Sequence, residues 1–528
     1  MKRFLPLLIL FGLALFPLQA QSPDWWRDAT WYLLFVRSFY DSDGDGVGDL
    51  RGVIEKLDYL ESLGIGGLWL MPVNSAASYH GYDALDYYAV EPDYGTKDDF
   101  NALIEAAHAR GLRVIVDLVL NHTSSQHPWF LASARGDEAY ADWYVWADQN
   151  PNYAGPWGQV AWHRKGSRFY YGAFWSGMPD LNYANPAVTA TMYDVARYWL
   201  EEMRVDGFRL DAIKYVVESE TNGVRLLKNA PANRQWLTAF NDHVKSINPN
   251  AFVIGEVWDA TIAAERYVRE DSVDMVFEFD LAQEFLNAAR TGRAEPLIRM
   301  LRNVLRAYPD DRFAPFLTNH DLPRVMSQVG GDESIAKLAA SLLLTSPGAP
   351  FIYYGEEIGM SGSKPDPRIR TPFQWDETPT TAGFTRARRP YEPLASEFSA
   401  RYTVASQAAD PQSLLNHYRA LIALRNRSEA LRRGATIQLS STDRSVYAIL
   451  RRSQDETLLV LINLANTPTS SYALSTRRAN LPSFRSAEVI FGTARAAAAP
   501  SITAGDIRDY IPLPELGARE VVVLRLRP

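Results

Sequence analysis

The stretch DDFNALIEAAHARGLRVIVDLVLNHTS, residues 98–124, carries the pattern that decides the fold. Its first half places apolar residues three and four positions apart, which predicts an amphipathic helix. Its second half, LRVIVDLVL, is a continuous apolar run of the kind found in parallel strands that are covered on both faces. Polar residues follow directly where that strand should end. The stretch therefore predicts one helix–strand unit of an α/β fold.

The same alternation recurs along most of the chain. Further strand candidates of this kind are WYLLFV, GIGGLWLMPV, GFRLD, AFVIGE, MVFEF, FAPFLTN and APFIYYG. Eight such units over roughly 400 residues predict a (β/α)8 TIM barrel. A doubly wound open sheet is the alternative that the periodicity alone leaves open.

Two regions break the alternation and predict further domains. About 85 residues rich in aromatics and glycine separate the third and fourth strand candidates, which is too long for one connection. After about residue 435 the chain changes to short strands between polar turns, which predicts an antiparallel β-sandwich. The expected organisation is one barrel in two parts, residues 24–121 and 182–434, with an inserted small domain at 122–181 and a C-terminal domain at 435–528.

Composition sets limits on partners and on location. The chain has 528 residues, a net charge of −8 and no cysteine, which excludes disulfides and argues against a nucleic-acid partner. Residues 1–20 combine a basic start with a short apolar run and a small residue at position 20, which predicts a secretory signal peptide. An uncleaved membrane anchor is the alternative. We expect an exported protein, periplasmic or secreted, with no membrane contact after cleavage.

Acidic and other polar residues stand at the C-terminal ends of four predicted strands. In a (β/α)8 barrel the active site is built at that end, so these residues are expected to converge. Each one taken alone has a structural alternative, namely a salt bridge or a solvated surface position. The residues are Asp117, Asn121 and His122 after the third strand, Arg209 and Asp211 at the fourth, Glu256 at the fifth, and Asn319, His320 and Asp321 at the seventh.

These strand ends resemble the α-amylase family of glycoside hydrolases (glycoside hydrolase family 13). DLVLNHTS, GFRLDAIKY, VIGEVW and FLTNHD match four signature segments of the family in order and spacing, and MPDLNY at 178–183 matches a fifth. The resemblance covers nearly the whole chain after residue 20. Within the family, the chain resembles the group intermediate between α-amylases and enzymes of the oligo-1,6-glucosidase or neopullulanase type.

The resemblance implies catalytic roles for three carboxylates. Asp211 is similar to the family nucleophile, and Glu256 to the acid/base, which must start protonated and should have a raised pKa. Asp321 is similar to the third acid, which binds sugar hydroxyls. Arg209 is expected to keep Asp211 ionised and Asp117 to brace Arg209. Retention of configuration predicts that the two reacting carboxyl groups stand about 5–5.5 Å apart.

The resemblance also implies a set of substrate-binding residues. Tyr82 is similar to the aromatic residue that stacks under the sugar at the cleavage point. Asp83, Asp366 and Arg370 are expected at the non-reducing end, with a surface ion pair as their alternative. The remaining expected contacts are His80, His122 and His320 around the same sugar, and Lys214 and Tyr215 on the leaving-group side.

The implied activity is retaining hydrolysis of α-1,4-glucosidic bonds in starch, maltodextrins or malto-oligosaccharides. The expected partner is an α-glucan or malto-oligosaccharide substrate, and the chain is expected to be a monomer. Ala212, after the nucleophile, resembles α-1,4-acting members, whereas RTPFQWD resembles the α-glucosidase and oligo-1,6-glucosidase branch. A Tyr at 215, where many α-amylases have His, leaves transglycosylation of the trehalose-synthase type open. A catalytically inactive carbohydrate-binding protein is the remaining alternative.

The loop DSDGDGVGD, residues 41–49, looks at first like an EF-hand. That motif needs Glu at its twelfth position, where this chain has Gly52, so the EF-hand interpretation fails. Closely spaced carboxylates still suit a hard cation. A similar loop binds structural Ca²⁺ or Mg²⁺ in the oligo-1,6-glucosidase branch, and a solvated acidic turn is the alternative. Expected ligands are Asp41, Asp43, Asp45, the Val47 carbonyl and Asp49; a second Ca²⁺ at Asn121 is left open.

Overall fold

The computed structural model describes residues 24–221, 224–493 and 496–528. Within them, parallel strands run in ring order around a barrel, each hydrogen-bonded to the next. A parallel bridge between Phe316 and Phe351 brings the last two strands together. The (β/α)8 prediction is confirmed, and the open-sheet alternative is excluded. The barrel strands are β1 Trp31–Leu34, β2 Gly67–Leu70, β3 Arg113–Leu118, β4 Gly207–Leu210, β5 Phe252–Gly255, β6 Met275–Phe277, β7 Phe313–Ala314 and β8 Phe351–Tyr353.

Large aromatic side chains fill the barrel interior. Trp31 stacks on Phe351 with ring centroids 5.5 Å apart, and Phe277 packs against both Phe351 and Trp69. Gly67 faces Trp31, and a Cβ at that position would lie 2.5 Å from the indole ring. A close approach of this kind permits only glycine. Packed rings therefore fill the space that the strands enclose.

The stretch that predicts the fold forms the expected helix and strand. Its helix is Lys97–Ala109, and Thr96 caps it in a reciprocal pair with Asp99. Phe100, Leu103, Ile104 and Ala107 are buried, which matches the helical spacing. The other α-helices of the described residues are Leu50–Glu55, Leu57–Leu63, Pro128–Ala134, Pro186–Glu201, Pro231–Ile247, Thr261–Arg269, Phe279–Thr291, Ala294–Ala307, Val325–Gln328, Glu333–Thr345, Asp366–Ile369, Val404–Ala408, Leu414–Arg427 and Glu429–Arg433.

The segment between β3 and β4 forms a small sheet of its own. Strands Trp146–Ala147, Arg168–Tyr171 and Trp162–Lys165 pair antiparallel, over a small core that includes Trp162 and Tyr171. A bridge between His122 and Asp180 joins the two ends of the segment. The limits 122–181 stay a prediction, and the sheet lies within them.

The C-terminal region is built on one five-stranded antiparallel sheet. Its strands are, in sheet order, Ala435–Gln438, Val446–Arg452, Thr457–Asn463, Val521–Arg527 and Ser486–Phe491. One face joins the main core and the other faces a second core. The covering layer of the expected sandwich consists only of two-residue strand pairs. Prolines are frequent in that layer and cannot donate to a strand ladder; they are Pro468, Pro482, Pro500, Pro512 and Pro514.

Two expectations about the membrane concern different parts of the chain. The signal peptide at 1–20 lies outside the described residues. Among the described residues, none of the helices has the length and apolar character that a membrane span requires.

Candidate active site

The polar residues at the strand ends converge at one end of the barrel because the strands are parallel. Backbone hydrogen bonds between neighbouring strands continue through these residues. The amide of Asp211 donates to Leu118 O at 3.3 Å, and the amide of Glu256 donates to Leu210 O at 3.0 Å. Asp117 on β3 is in register with Arg209 on β4. Neighbouring strands of the barrel thus deliver an arginine and three carboxylates to one place.

Arg209 is the centre of this group and is only 1% exposed. Its Nη1 donates to Asp117 Oδ1 and to Asp211 Oδ1, both at 2.7 Å. Its Nη2 donates to Glu256 Oε2. The Ala212 amide reaches the same Glu256 oxygen at 3.2 Å, from a left-handed backbone conformation with φ of 46°. One guanidinium therefore fixes both expected reacting carboxyl groups and the bracing Asp117.

Burial is the largest influence on the pKa values of the two expected reacting carboxyl groups. Burial raises the pKa of Glu256, Arg209 acts against that shift, and the charges of Asp211 and Asp321 add to it. Burial also raises the pKa of Asp211, with Arg209 again opposing. A carboxyl with a raised pKa suits a general acid, as expected for Glu256. The predicted separation of about 5–5.5 Å between the two groups stays a prediction.

Asp321 has the opposite electrostatic surroundings. Burial acts to raise its pKa, but His320, Arg370 and Arg209 outweigh burial and hold the pKa well below its usual range. Arg370 Nη2 donates to Asp321 Oδ1 at 2.9 Å and to Asp366 Oδ2 at 3.1 Å. The site thus contains an anionic Asp321 beside carboxyl groups that hold protons more readily.

Tyr82 connects the carboxylate cluster with the histidines. Its hydroxyl donates to Asp117 Oδ2 at 3.1 Å and lies 2.7 Å from His320 Nε2. Its ring is stacked with those of His320 and His80, with centroids 5.5 and 6.0 Å away. His122 Nε2 lies 3.2 Å from the Tyr82 carbonyl oxygen. A ring fixed on several sides is suited to stacking against a flat apolar ligand face.

A cavity of about 830 Å³ opens over these groups. Most predicted site residues line it, whereas Arg209 and His320 lie behind the lining. Asp83 is not among the lining residues; it is buried and accepts hydrogen bonds from Ser78 instead. The lining comprises His80, Tyr82, His122, Pro156, Trp157, Phe174, Trp175, Met178, Asp211, Ala212, Lys214, Tyr215, Lys228, Glu256, Trp258, Asp321, Lys364, Asp366 and Arg370.

Aromatic side chains that sequence reasoning missed form the outer wall. Trp157 packs against Phe174 and Tyr215 with centroids 5.3 and 5.2 Å apart, and it is 57% exposed. Trp175 and Trp258 are about as exposed at the same mouth. The aromatic richness of the inserted segment was the one available signal for Trp157, Phe174 and Trp175, whereas Trp258 lies outside that segment. Exposed rings at a cavity mouth offer stacking surface for a ligand longer than the cavity.

Lys214 fixes the loop that follows Glu256. Its Nζ donates to the carbonyl oxygen of Trp258 and lies 3.7 Å from Asp259 Oδ2. Lys228 pairs with the same Asp259 oxygen at 3.0 Å. The indole of Trp258 stacks on Phe279 with centroids 4.9 Å apart. The predicted leaving-group residue therefore acts here on the position of a neighbouring loop.

The acidic loop brings three of its carboxylates together. One oxygen from each of Asp41, Asp43 and Asp49 lies within 4.8 Å of the others. Asp45 is outside this group, and its carboxylate accepts from the Val47 amide at 2.7 Å. Burial, together with the charges of Asp45 and Asp41, raises the pKa of Asp43. Three converging oxygen donors that repel one another fit a hard cation such as Ca²⁺.

Two of these carboxylates are already bonded to the backbone. Asp41 accepts from the amides of Gly44 and Gly46 at 2.6 and 2.7 Å. Asp49 caps the helix Leu50–Glu55 and accepts from the Ser42 amide at 2.7 Å. At the other candidate position, Asn121 donates to Asp180 Oδ2 at 3.0 Å. The Val47 carbonyl ligand and a second cation at Asn121 stay predictions.

The chain is similar to known proteins over most of its length. The family model described as the α-amylase catalytic domain matches residues 33–434. Alpha-amylase 3 of Dictyoglomus thermophilum is 39% identical over 468 residues, which cover 88% of this chain and 90% of that protein. A trehalose synthase/amylase of Mycolicibacterium smegmatis is 36% identical over 487 residues, which cover 81% of this chain and 80% of that protein. The crystal structure of an α-amylase from H. orenii has 37% identity, a TM-score of 0.78, and covers 94% of this chain and 99% of its own.

Proposed function

The chain belongs to the α-amylase family of glycoside hydrolases, and from this premise we propose that it hydrolyses α-1,4-glucosidic bonds in malto-oligosaccharides, maltodextrins or starch with retention of configuration. The observation that carries the proposal is the arrangement around Arg209, whose guanidinium bonds both Asp211 and Glu256 beneath one cavity. Asp321 lines the same cavity. Retaining hydrolysis needs one carboxyl group that starts protonated and one carboxylate that attacks, and Asp321 would add a third, anionic group.

The proposed mechanism has two displacements. Asp211 attacks the anomeric carbon while the bond to the leaving oxygen breaks, and that oxygen takes the proton of Glu256. Water then attacks the glycosyl ester, giving its proton to Glu256 and releasing Asp211. Arg209 stabilises Asp211 as a carboxylate when it leaves, and the anionic Asp321 stabilises positive charge on the sugar ring.

The other predicted substrate-binding residues would hold the glucosyl unit that is transferred. Tyr82 offers its fixed ring to the apolar face of that sugar. His122 and Arg370 line the cavity and would donate hydrogen bonds to its hydroxyl groups, and Asp366 pairs with Arg370. His320 lies behind the lining, beside the Tyr82 hydroxyl. Lys214 and Tyr215, which also line the cavity, would contact the leaving-group side.

A second candidate in the same family is transglycosylation, which includes isomerisation of maltose to trehalose. It is favoured by the aromatic cluster of Trp157, Phe174 and Tyr215, because an apolar wall beside the leaving group retains a sugar acceptor and disfavours water. The α-glucosidase and oligo-1,6-glucosidase activities are further alternatives. An inactive binding protein is disfavoured because Asp211, Glu256 and Asp321 are all present.

The products formed from maltose and maltoheptaose test the proposal. We expect glucose and shorter maltodextrins, with α-configured reducing ends in the first products recorded by NMR. Trehalose or longer oligosaccharides as main products would favour the transglycosylase, and cleavage of isomaltose in preference to maltose would favour the oligo-1,6-glucosidase. β-Configured first products would contradict retention.

Turnover is expected to fall at alkaline pH because Glu256 must start protonated. Burial raises its pKa, so the protonated form persists above the ordinary glutamate range and is lost as the pH rises through the shifted pKa. The measurement is kcat/KM for maltotriose against pH. The alkaline limb should have its midpoint above about 4.3, the usual value for Glu. A nitrophenyl α-glucoside, whose leaving group needs little protonation, should show a weaker limb.

We also propose that the acidic loop binds one structural Ca²⁺, or Mg²⁺ in its place, through Asp41, Asp43 and Asp49. A bound cation stabilises the native state by about 2.7 kcal/mol at 100 times its Kd. Chelation should therefore lower the melting temperature, and added Ca²⁺ should restore it. Asp43→Asn should lose this response, whereas the control Asp455→Asn, at an exposed position, should keep it. An unchanged melting temperature after chelation would contradict the proposal.

Export and a monomeric state are proposed from the sequence alone. The basic and apolar pattern of residues 1–20 supports export. N-terminal sequencing of the mature protein should begin near residue 21, and light scattering should give the mass of one chain. A mature protein that retains residues 1–20 would contradict the cleavage.

A further inference from the structure

We infer that Tyr391 is a positioning residue that connects the acidic loop 41–49 to the substrate cavity through Arg370. The residue stands outside the cavity lining and outside every signature segment quoted above. Its backbone contacts the loop, and its hydroxyl contacts the backbone of Arg370. The inference rests on the proposed function only for the choice of substrate.

The first half of the connection joins Tyr391 to the acidic loop. The Tyr391 amide donates to the carbonyl oxygen of Gly46 at 2.8 Å, and the Gly46 amide donates to Asp41 Oδ2 at 2.7 Å. Gly46 has a φ of 99°, and a Cβ there would lie 2.9 Å from the Arg389 carbonyl oxygen. Only glycine allows the two chain segments to come this close.

The same segment is anchored to the loop at its other end. The Asp41 amide donates to the carbonyl oxygen of Phe384 at 3.0 Å, and the Thr385 hydroxyl donates to Asp41 Oδ2. The segment 384–391 is therefore held to the acidic loop at both ends. A change in the conformation of the loop must move Tyr391 with it.

The second half joins Tyr391 to Arg370. The Tyr391 hydroxyl lies 2.7 Å from Ser38 Oγ and donates to the carbonyl oxygen of Arg370 at 3.3 Å. Ser38 Oγ donates to the same carbonyl oxygen at 2.5 Å. The side chain of Arg370 then bonds Asp321, and its Nε donates to the carbonyl oxygen of His320 at 2.9 Å. Two hydroxyl groups thus fix the position of the Arg370 backbone, and the side chain of Arg370 bonds Asp321.

A packing role is the alternative, and the aromatic ring and the hydroxyl separate the two. Arg37, paired with Asp93 at 2.5 Å, lies over the Tyr391 ring with its guanidinium 5.5 Å from the centroid. Phenylalanine would keep this ring contact and lose only the hydroxyl. Tyr391→Phe therefore tests the connection to Arg370 and leaves the packing in place.

The matched control is Tyr40→Phe. Tyr40 directly precedes the acidic loop, its ring packs on Trp375 and under Lys56, and within the described part of the chain its hydroxyl has no hydrogen-bond partner. We expect Tyr391→Phe to raise KM for maltotriose five- to tenfold with less than a threefold change in kcat. The control should leave both constants unchanged.

A double-mutant cycle with Arg370→Lys tests whether Tyr391 acts through Arg370. If it does, Tyr391→Phe adds less than a twofold change in the Arg370→Lys background, because contacting residues on one path are not additive. A full five- to tenfold further change in that background would overturn the inference, and so would an unchanged KM for Tyr391→Phe.

Hydrogen exchange supplies a measurement that does not depend on activity. The peptide that covers residues 369–373 should exchange faster in Tyr391→Phe than in the wild type and in Tyr40→Phe. Equal exchange in all three proteins would overturn the inference. If the wild type fails to turn over malto-oligosaccharides, the proposed function is wrong, and the exchange result alone decides the role of Tyr391.

Discussion

Replacing Asp211 by Asn is expected to lower kcat on malto-oligosaccharides by at least about 10⁴-fold, the size of effect seen when a catalytic nucleophile is removed. The amide oxygen keeps the shape of the carboxylate and still accepts from Arg209, but it forms no stable ester with the anomeric carbon. The loss should therefore fall on kcat, and substrate binding should persist. Stopped assays with maltotriose, together with calorimetric binding to the variant, measure the two effects separately.

Asp117→Asn is the matched control for this prediction. Asp117 accepts from the same Arg209 nitrogen at the same distance as Asp211, 2.7 Å, but it does not line the cavity. A role confined to bracing predicts a loss in kcat below about 10²-fold. Equal losses in the two variants would contradict the assignment of the nucleophile, and so would turnover by Asp211→Asn within tenfold of the wild type.

The barrel could be predicted from the sequence because local pattern and buried position agree there. In residues 98–124 the helical spacing and the apolar strand point to one arrangement, and the observed cap at Thr96, just before this stretch, agrees with it. The covering layer of the C-terminal region could not be predicted in the same way. Its strands are two residues long, and periodicity over so few residues has no statistical content.

The site residues show the same difference between regular strands and irregular loops. Asp211 and Glu256 directly follow barrel strands, so their direction follows from the fold. Asp83 and Asp45 lie in loops, where each carboxylate bonds a nearby loop residue, Ser78 or the Val47 amide. No sequence pattern distinguishes such an internal bond from an outward position.

The exposed rings at the cavity mouth were missed for a different reason. Trp157 and Trp258 come from separate loops and are held by neighbours distant in sequence, Tyr215 in one case and Phe279 in the other. A single exposed aromatic residue is normal on a protein surface, and only its neighbours in the folded structure indicate whether it belongs to a binding site. This long-range information is also what relates Tyr391 to Arg370.

Replacing Arg209 by Met is expected to destabilise the native protein by about 3–5 kcal/mol at neutral pH, because it leaves buried carboxylates without their counter-charge. In the wild type, the charge of Arg209 partly offsets the effect of burial, which raises the pKa values of Asp211 and Glu256. Without it both pKa values rise further above those of the unfolded chain. Carboxyl groups of that kind stabilise the fold while protonated and lose that contribution as the pH rises.

The sign of this pH dependence makes the prediction specific. The stability difference between wild type and Arg209→Met should be smaller at pH 5 than at pH 8, measured by urea unfolding with the melting temperature as a second probe. Arg209→Lys keeps a charge but cannot reach three carboxylates at once, so its stability should lie between those of the wild type and Arg209→Met. A difference that grows toward pH 5 would mean that the carboxyl groups stay ionised without Arg209. In that case the raised pKa of Glu256, and with it the acid role, would need another cause.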